Sequence, residues 1–97
     1  MYTNVSTAGN CIIITLPYRD KMTNCDKMSK DMNNYHYEIH KVEPSYKYLD
    51  IIEIGNHHTY HCHEIMILDH PPSLSECNTF QRLWHGKGDA RIETIHE

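Results

Sequence analysis

Hydrophobic positions change their spacing along the chain, and each change predicts a new element. Residues 11–16 read CIIITL, an uninterrupted β-branched run that predicts a buried strand. Pro17 ends this strand. Apolar residues then recur every three or four positions, which predicts an amphipathic helix closing at Asn33 and Asn34. The stripe of this helix is Tyr18, Met22, Cys25, Met28 and Met32.

Three alternating segments follow, at residues 35–42, 46–54 and 57–68. The first two are separated by Glu43, Pro44 and Ser45, and the last two by Gly55 and Asn56. Alternation with short turns is typical of an antiparallel meander, and Gly-Asn suits a two-residue hairpin turn. Residues 35–68 are therefore predicted to form three neighbouring strands.

The last third of the chain predicts a second helix and a final strand. Ser73 and Glu76 have the spacing of a capping box, and apolar residues at helical intervals continue to Trp84, before Gly86. Residues 90–96 can form the last strand, exposed at an edge and able to pair with a second copy of the chain. A homodimer through that edge is thus one expectation.

This order predicts an α+β protein with a largely antiparallel sheet and two helices on one face. It resembles a ferredoxin-like two-layer plan with an added strand. Its middle resembles the α-β-β-β-α order of double-stranded-RNA-binding domains. A length of 97 residues predicts one domain, with residues 1–10 as a disordered or covering tail.

The composition of the chain argues against several classes of protein. A net charge of −4 argues against a generic nucleic-acid binder, because such a protein needs clustered Lys and Arg. No signal peptide or apolar span is visible, so a cytoplasmic protein without a membrane partner is expected, in the host cytoplasm if a phage encodes it. The four cysteines form no CxxC pair, which excludes zinc-ribbon and thioredoxin interpretations.

Nine histidines are the compositional anomaly, and the predicted turns gather several of them. With a Gly55-Asn56 turn, Asp50 lies opposite His61, and Tyr48 lies opposite His63. The Glu43–Ser45 turn adds three side chains from the first strand to the same face. The predicted polar face comprises His36, Glu38, His40, Asp50, His61 and His63, with Tyr46 and Tyr48 beside them.

This polar face supports two interpretations. His61 and His63 stand about 7 Å apart on one side of a strand and could chelate one Zn²⁺ with Asp50 and Glu38 as further ligands. Alternatively the face is a solvated surface that binds no metal. The cofactor expectation is accordingly none, or zinc.

A second candidate site lies in residues 69–85, which read DHPPSLSECNTFQRLWH. This segment resembles the core of HNH nucleases. The resemblance implies that Asp69 and His85 bind Mg²⁺ or Zn²⁺, that His70 activates water, and that Asn78 orients His70. The flanking cysteine pairs of that pattern are absent.

The leading hypothesis is a small histidine-rich binding or regulatory module rather than an enzyme. It would engage a protein partner through its His/Tyr face or an edge strand, as an inhibitor or host-takeover protein of a phage or mobile element does. Because histidine titrates near neutral pH, partner affinity should change with pH. The alternative is a metal-dependent hydrolase or HNH-like nuclease that uses either histidine cluster.

Overall fold

The structure, a computed structural model, describes residues 10–94 of the chain. Four strands and two helices follow one another in these residues. They are β1 (Cys11–Leu16), α1 (Cys25–Val42), β2 (Lys47–Ile54), β3 (Tyr60–Ile67), α2 (Leu74–Arg82) and β4 (Arg91–Thr94). The predicted α+β class is confirmed. The element order β-α-β-β-α-β is that of the ferredoxin-like plan, without the added strand that the sequence suggested.

The four strands form one sheet in the order β2-β3-β1-β4, and every neighbouring pair is antiparallel. Even-numbered residues of β1 and β3, such as Ile14 and Met66, are buried against the helices. We call this side the covered face. Odd-numbered residues of the strands point away from the helices and form the open face, where Ile13 and Ile65 are only half-buried.

Aromatic side chains join the two helices to the sheet. Phe80 and Trp84 are fully buried, and the Trp84 indole donates a hydrogen bond of 2.6 Å to the Pro17 carbonyl. The Tyr35 hydroxyl of α1 donates to the Phe80 carbonyl of α2 at 2.9 Å. The indole N–H and the tyrosine hydroxyl are hydrogen-bonded while the aromatic rings fill the core. These side chains therefore fix the helices relative to each other and to the end of β1.

Residues 35–42 are helical, and the prediction of a strand there was wrong. Helix α1 begins after Asn24, whose side chain accepts a hydrogen bond from the Lys27 backbone N–H, and it runs for 18 residues. The spacing that predicts the first helix simply continues, through Met32, Tyr35 and Ile39, and all three are buried. Alternation in this segment was a weaker signal than the unbroken helical stripe.

The β2–β3 hairpin turns through five residues rather than two. Residues Asn56–His58 form a 3₁₀ turn, in which His57 and His58 have φ values of 59° and 57°. The longer turn pairs Glu53 with His61, where the two-residue turn had placed Asp50. An odd shift in register exchanges the faces of a strand. Asp50 therefore lies opposite Glu64 on the covered face.

The capping box of the second helix is confirmed by reciprocal hydrogen bonds between Ser73 and Glu76. Asn10 belongs to the described chain, and its side-chain amide donates to the Leu68 carbonyl at 2.7 Å. The rest of the expected N-terminal tail, and the end of the predicted strand at 90–96, lie outside the described residues. Neither helix between residues 10 and 94 is long and apolar enough to cross a membrane.

Candidate functional site

Strand β3 distributes the candidate side chains over both faces of the sheet. His61 and His63 lie on the open face, as the alternation predicted, and Cys62 is buried on the covered face. The His63 imidazole contacts the Thr15 hydroxyl through Nδ1 at 3.1 Å and the Glu53 carboxylate through Nε2. His63 is thus oriented from both neighbouring strands, while His61 is exposed beside it.

A surface cleft of about 380 Å³ begins at His61 and extends to the loop after β1. Arg19, Lys21 and His57 line it together with His61, and Asp20 lines it as well. The Arg19 guanidinium is held by hydrogen bonds to the His85 and Gly86 carbonyls, at 2.6 and 2.9 Å. The cleft therefore brings cationic groups to the end of the open face.

The predicted zinc ligands do not come together. Asp50 points to the covered face, because the hairpin register differs from the predicted one. Glu38 lies on the exposed side of α1, where its carboxylate pairs with Lys41 at 2.9 Å. His61 and His63 keep their shared face, and Glu53 takes the position beside them that the sequence had given to Asp50.

The covered face holds a second cluster that joins α1 to the sheet. The His36 Nε2 atom lies 3.0 Å from Asp50 Oδ2 and 2.9 Å from Glu64 Oε1. The Tyr46 hydroxyl donates to the other Glu64 oxygen, and the Tyr48 ring stacks on the His36 imidazole with centroids 3.5 Å apart. We call His36, Asp50 and Glu64 the buried triad.

Burial and hydrogen bonding shift the pKa values of this triad. Burial raises the pKa of the fully buried Glu64 carboxyl to about 7. Burial lowers the pKa of the His36 imidazole, but hydrogen bonds to Asp50 and Glu64 outweigh it and raise that pKa to about 9. Burial also raises the pKa of Asp50, and hydrogen bonds from His36 and Glu64 bring it below its usual value.

Sequence reasoning missed Glu64 as a site residue. The signal was present, because alternation along β3 places Glu64 between Cys62 and Met66 on the apolar side. A carboxylate at an otherwise apolar position of a strand indicates a buried partner. That partner was itself hidden, since His36 lies on a segment predicted as a strand.

The predicted binding surface is divided among three places. Tyr46 and His36 are buried, at 2% and 7% exposure, and both pack on the covered face. Tyr48 is 43% exposed at the edge of that face. His40 is exposed on α1, and its Nε2 lies 2.8 Å from the Tyr46 carbonyl. Only His61 and His63 remain on the open face, so the six residues form no single surface.

The HNH-like segment also differs from its predicted arrangement. His70 contacts Asp69 at 2.6 Å, Glu76 at 2.8 Å and, more loosely, Glu43 at 3.7 Å. Asn78 lies inside helix α2, where the nuclease pattern needs a short strand. The His85 imidazole lies 3.3 Å from the Asp89 carboxylate. A cleft lined by Asn78 and His85 does not include His70, so the resemblance is not supported by the geometry.

Comparison with known proteins identifies a family. The family model for the replication-associated protein ORF2 matches residues 11–97, which is most of the chain. No curated protein matches the chain.

Among solved structures, the chain resembles the hypothetical protein ORF119 from Sulfolobus islandicus rod-shaped virus 1. The TM-score is 0.58 at 17% identity, and the match covers 90% of this chain and 66% of that chain. This likeness concerns the fold. The neighbour comes from a virus; that this chain is a viral or phage protein, and that it inhibits or binds another protein, both stay predictions.

Proposed function

The chain belongs to the family of the replication-associated protein ORF2, and from this premise we propose that it acts on nucleic acid during replication. The observation that carries the proposal is the open face of β3. There His61 and His63 lie side by side, and His63 is oriented by Thr15 and Glu53. A pair of neighbouring imidazoles beside a carboxylate favours the hydrolase alternative over a purely protein-binding module.

Two imidazoles and one carboxylate are a ligand set that suits Zn²⁺ or Mn²⁺. In this proposal His61, His63 and Glu53 hold a divalent cation on the open face. Their ligand atoms do not all lie within 4.8 Å of one another, because the His61 imidazole lies beside Gly55. The His61 side chain therefore turns toward the paired Glu53 and His63 when the ion binds. Such an ion polarises a phosphodiester and offsets its negative charge. It would also supply positive charge that a chain with a net charge of −4 otherwise lacks.

The cleft next to His61 supports a phosphate-bearing ligand. Arg19 and Lys21 line it within one loop, and the Arg19 guanidinium is already oriented by two carbonyl contacts. Cationic groups of this kind contact the backbone of nucleic acids without reading their sequence. A nucleic-acid strand lying in the cleft would pass beside the proposed cation.

The test is metal-dependent binding and cleavage of labelled single-stranded and duplex DNA. With Mn²⁺ present, we expect binding that weakens about 10-fold or more on chelation or in the His61→Ala/His63→Ala variant. Any cleavage should be lost in the same variant. His58→Asn is the matched control, because His58 is a neighbouring histidine in a left-handed conformation that Asn also adopts.

Equal DNA binding by the wild-type protein and the double variant, with or without Mn²⁺, would refute this proposal. Loss of binding in the His58→Asn control as well would indicate that the hairpin loop, and not the histidine pair, is responsible. Loss of cleavage only in His70→Ala would instead assign the cleavage to the HNH-like segment.

A second candidate function, binding of a protein partner, is favoured by strand β2. This strand is an edge of the sheet and exposes four aliphatic side chains: Leu49 at 58%, Ile51 at 46%, Ile52 at 42% and Ile54 at 70%. Exposed apolar edges add strands from other chains. A partner captured by the wild-type protein and lost with Leu49→Lys/Ile51→Lys would support this function, and an unchanged set of captured proteins would exclude that edge.

A further inference from the structure

The buried triad offers a metal site that is separate from the open face. We propose that His36, Asp50 and Glu64 bind one divalent transition-metal cation of the size of Zn²⁺, which ties helix α1 to strands β2 and β3. The three ligand atoms lie within 4.8 Å of one another. One imidazole and two carboxylates are a combination that Zn²⁺ accepts.

The interatomic distances suit an ion of that size. His36 Nε2 is 3.0 Å from the Asp50 oxygen and 2.9 Å from the Glu64 oxygen. Ligands bound at about 2.0 Å to a tetrahedral Zn²⁺ lie about 3.3 Å apart. Exchanging the hydrogen-bonded proton for the cation therefore requires these two distances from His36 to lengthen by only a few tenths of an ångström.

Charge balance points to the same ligand. Glu64 is fully buried and the Asp50 side chain is 21% exposed, yet within residues 10–94 neither carboxylate pairs with a Lys or Arg. Two carboxylates out of water need compensating positive charge. Without a metal, the protonated His36 imidazole supplies only one positive charge against the two carboxylates. A divalent cation displaces that proton and supplies both charges, because imidazole binds metals in its neutral form.

The surroundings hold the ligands in place and leave a way in. The Tyr46 hydroxyl fixes the second Glu64 oxygen, and the Tyr48 ring lies flat against the His36 imidazole. Hydrogen bonds and packing of this kind orient metal ligands. Asp50 Oδ1 is buried without a partner among the described residues, so the carboxylate has coordination capacity left. A cleft of about 410 Å³ reaches His36 and Asp50 from the surface.

The experiment uses the full chain carrying His61→Ala/His63→Ala, which removes the open-face histidines and makes the result independent of the proposed function. After chelation and dialysis, Zn²⁺ is titrated by calorimetry and Co²⁺ by visible absorption. We expect one equivalent to bind and the melting temperature to rise with Zn²⁺. Adding Asp50→Asn, which keeps the side-chain shape, should weaken binding by about 100-fold or more.

Two matched controls separate this site from other carboxylates and histidines. Glu38→Gln changes an exposed carboxylate of the same helix, and His70→Asn removes the imidazole of a second group, Glu43, His70 and Glu76, whose ligand atoms also lie within 4.8 Å. Both should leave the binding of Zn²⁺ unchanged. If Asp50→Asn fails to fold, Co²⁺-induced broadening of amide signals around His36 and Glu64 in the folded parent replaces it as the test.

Three results would overturn the proposal. The first is a folded parent that binds no Zn²⁺ or Co²⁺, and the second is equal affinity with and without Asp50→Asn. The third is loss of the bound equivalent in His70→Asn, which would assign the ion to the second group.

Discussion

His63 and Glu64 are neighbours in the chain but occupy opposite sides of β3. The His63 imidazole is 34% exposed and is reached from solvent, while the Glu64 carboxyl is 0% exposed beneath helix α1. Both contact partners on adjacent elements. The open face thus presents groups that a ligand can approach, and the covered face holds groups whose charge the protein itself must balance. The two positions should respond very differently to the same perturbation.

The largest expected contrast is in stability. Glu64→Ala removes the hydrogen-bond partner of buried His36 and Tyr46, so we expect it to lower the free energy of unfolding by about 3–5 kcal/mol. His63→Ala removes a partly exposed pair and should cost under about 1 kcal/mol. Urea unfolding of both variants measures the difference. Similar losses in the two variants would mean that the faces are not distinct.

Apolar neighbours on β3 give a smaller contrast of the same kind. Met66 is fully buried on the covered face and Ile65 is half-buried on the open face. Met66→Ala should cost about 2–5 kcal/mol because it leaves a cavity, and Ile65→Ala roughly 1–2 kcal/mol because solvent fills the gap. A larger cost for Ile65→Ala, again by urea unfolding, would indicate that another part of the chain covers the open face.

The dependence of stability on pH should come mainly from the covered face. His36 and Glu64 both hold a proton more tightly in the folded state, with pKa values of about 9 and about 7 against usual values of 6.5 and 4.5. With a chelator present, stability should therefore be highest near about pH 4.5 and fall as pH rises to about 9. Denaturation midpoints across this range measure the effect.

Glu64→Gln, which does not titrate, is the control for this pH dependence. It should flatten the part of the decline between about pH 5 and 7, where Glu64 loses its proton. A wild-type midpoint that rises with pH would contradict the assignment.

The smallest expected effect concerns the exposed edge. Ile54 is 70% exposed on β2, so Ile54→Lys should change the free energy of unfolding by no more than about 0.5 kcal/mol. It should reduce any self-association through this edge, because a charged edge residue opposes strand pairing. Sedimentation of the two proteins at several concentrations checks this, and a large loss of stability would show that Ile54 is packed in solution.

Much of the fold was predictable because its signals are local. The apolar run of β1, the capping box at Ser73 and the alternation of β3 depend on residues adjacent in the chain. The placement of His61 and His63 on one face follows from that alternation alone. The α+β class followed from these elements even though the first segment of the predicted meander is helical.

The site was predictable only in part, because its membership depends on pairing between distant segments. A hairpin loop of five residues rather than two moved Asp50 away from His61 and set it against Glu64. An extended helix carried His36 to the same place. The sequence by itself determined most of the element types and the shared face of the histidine pair. The tertiary structure decided which acids accompany which histidines, because register and helix packing, unlike periodicity, are set by the whole fold.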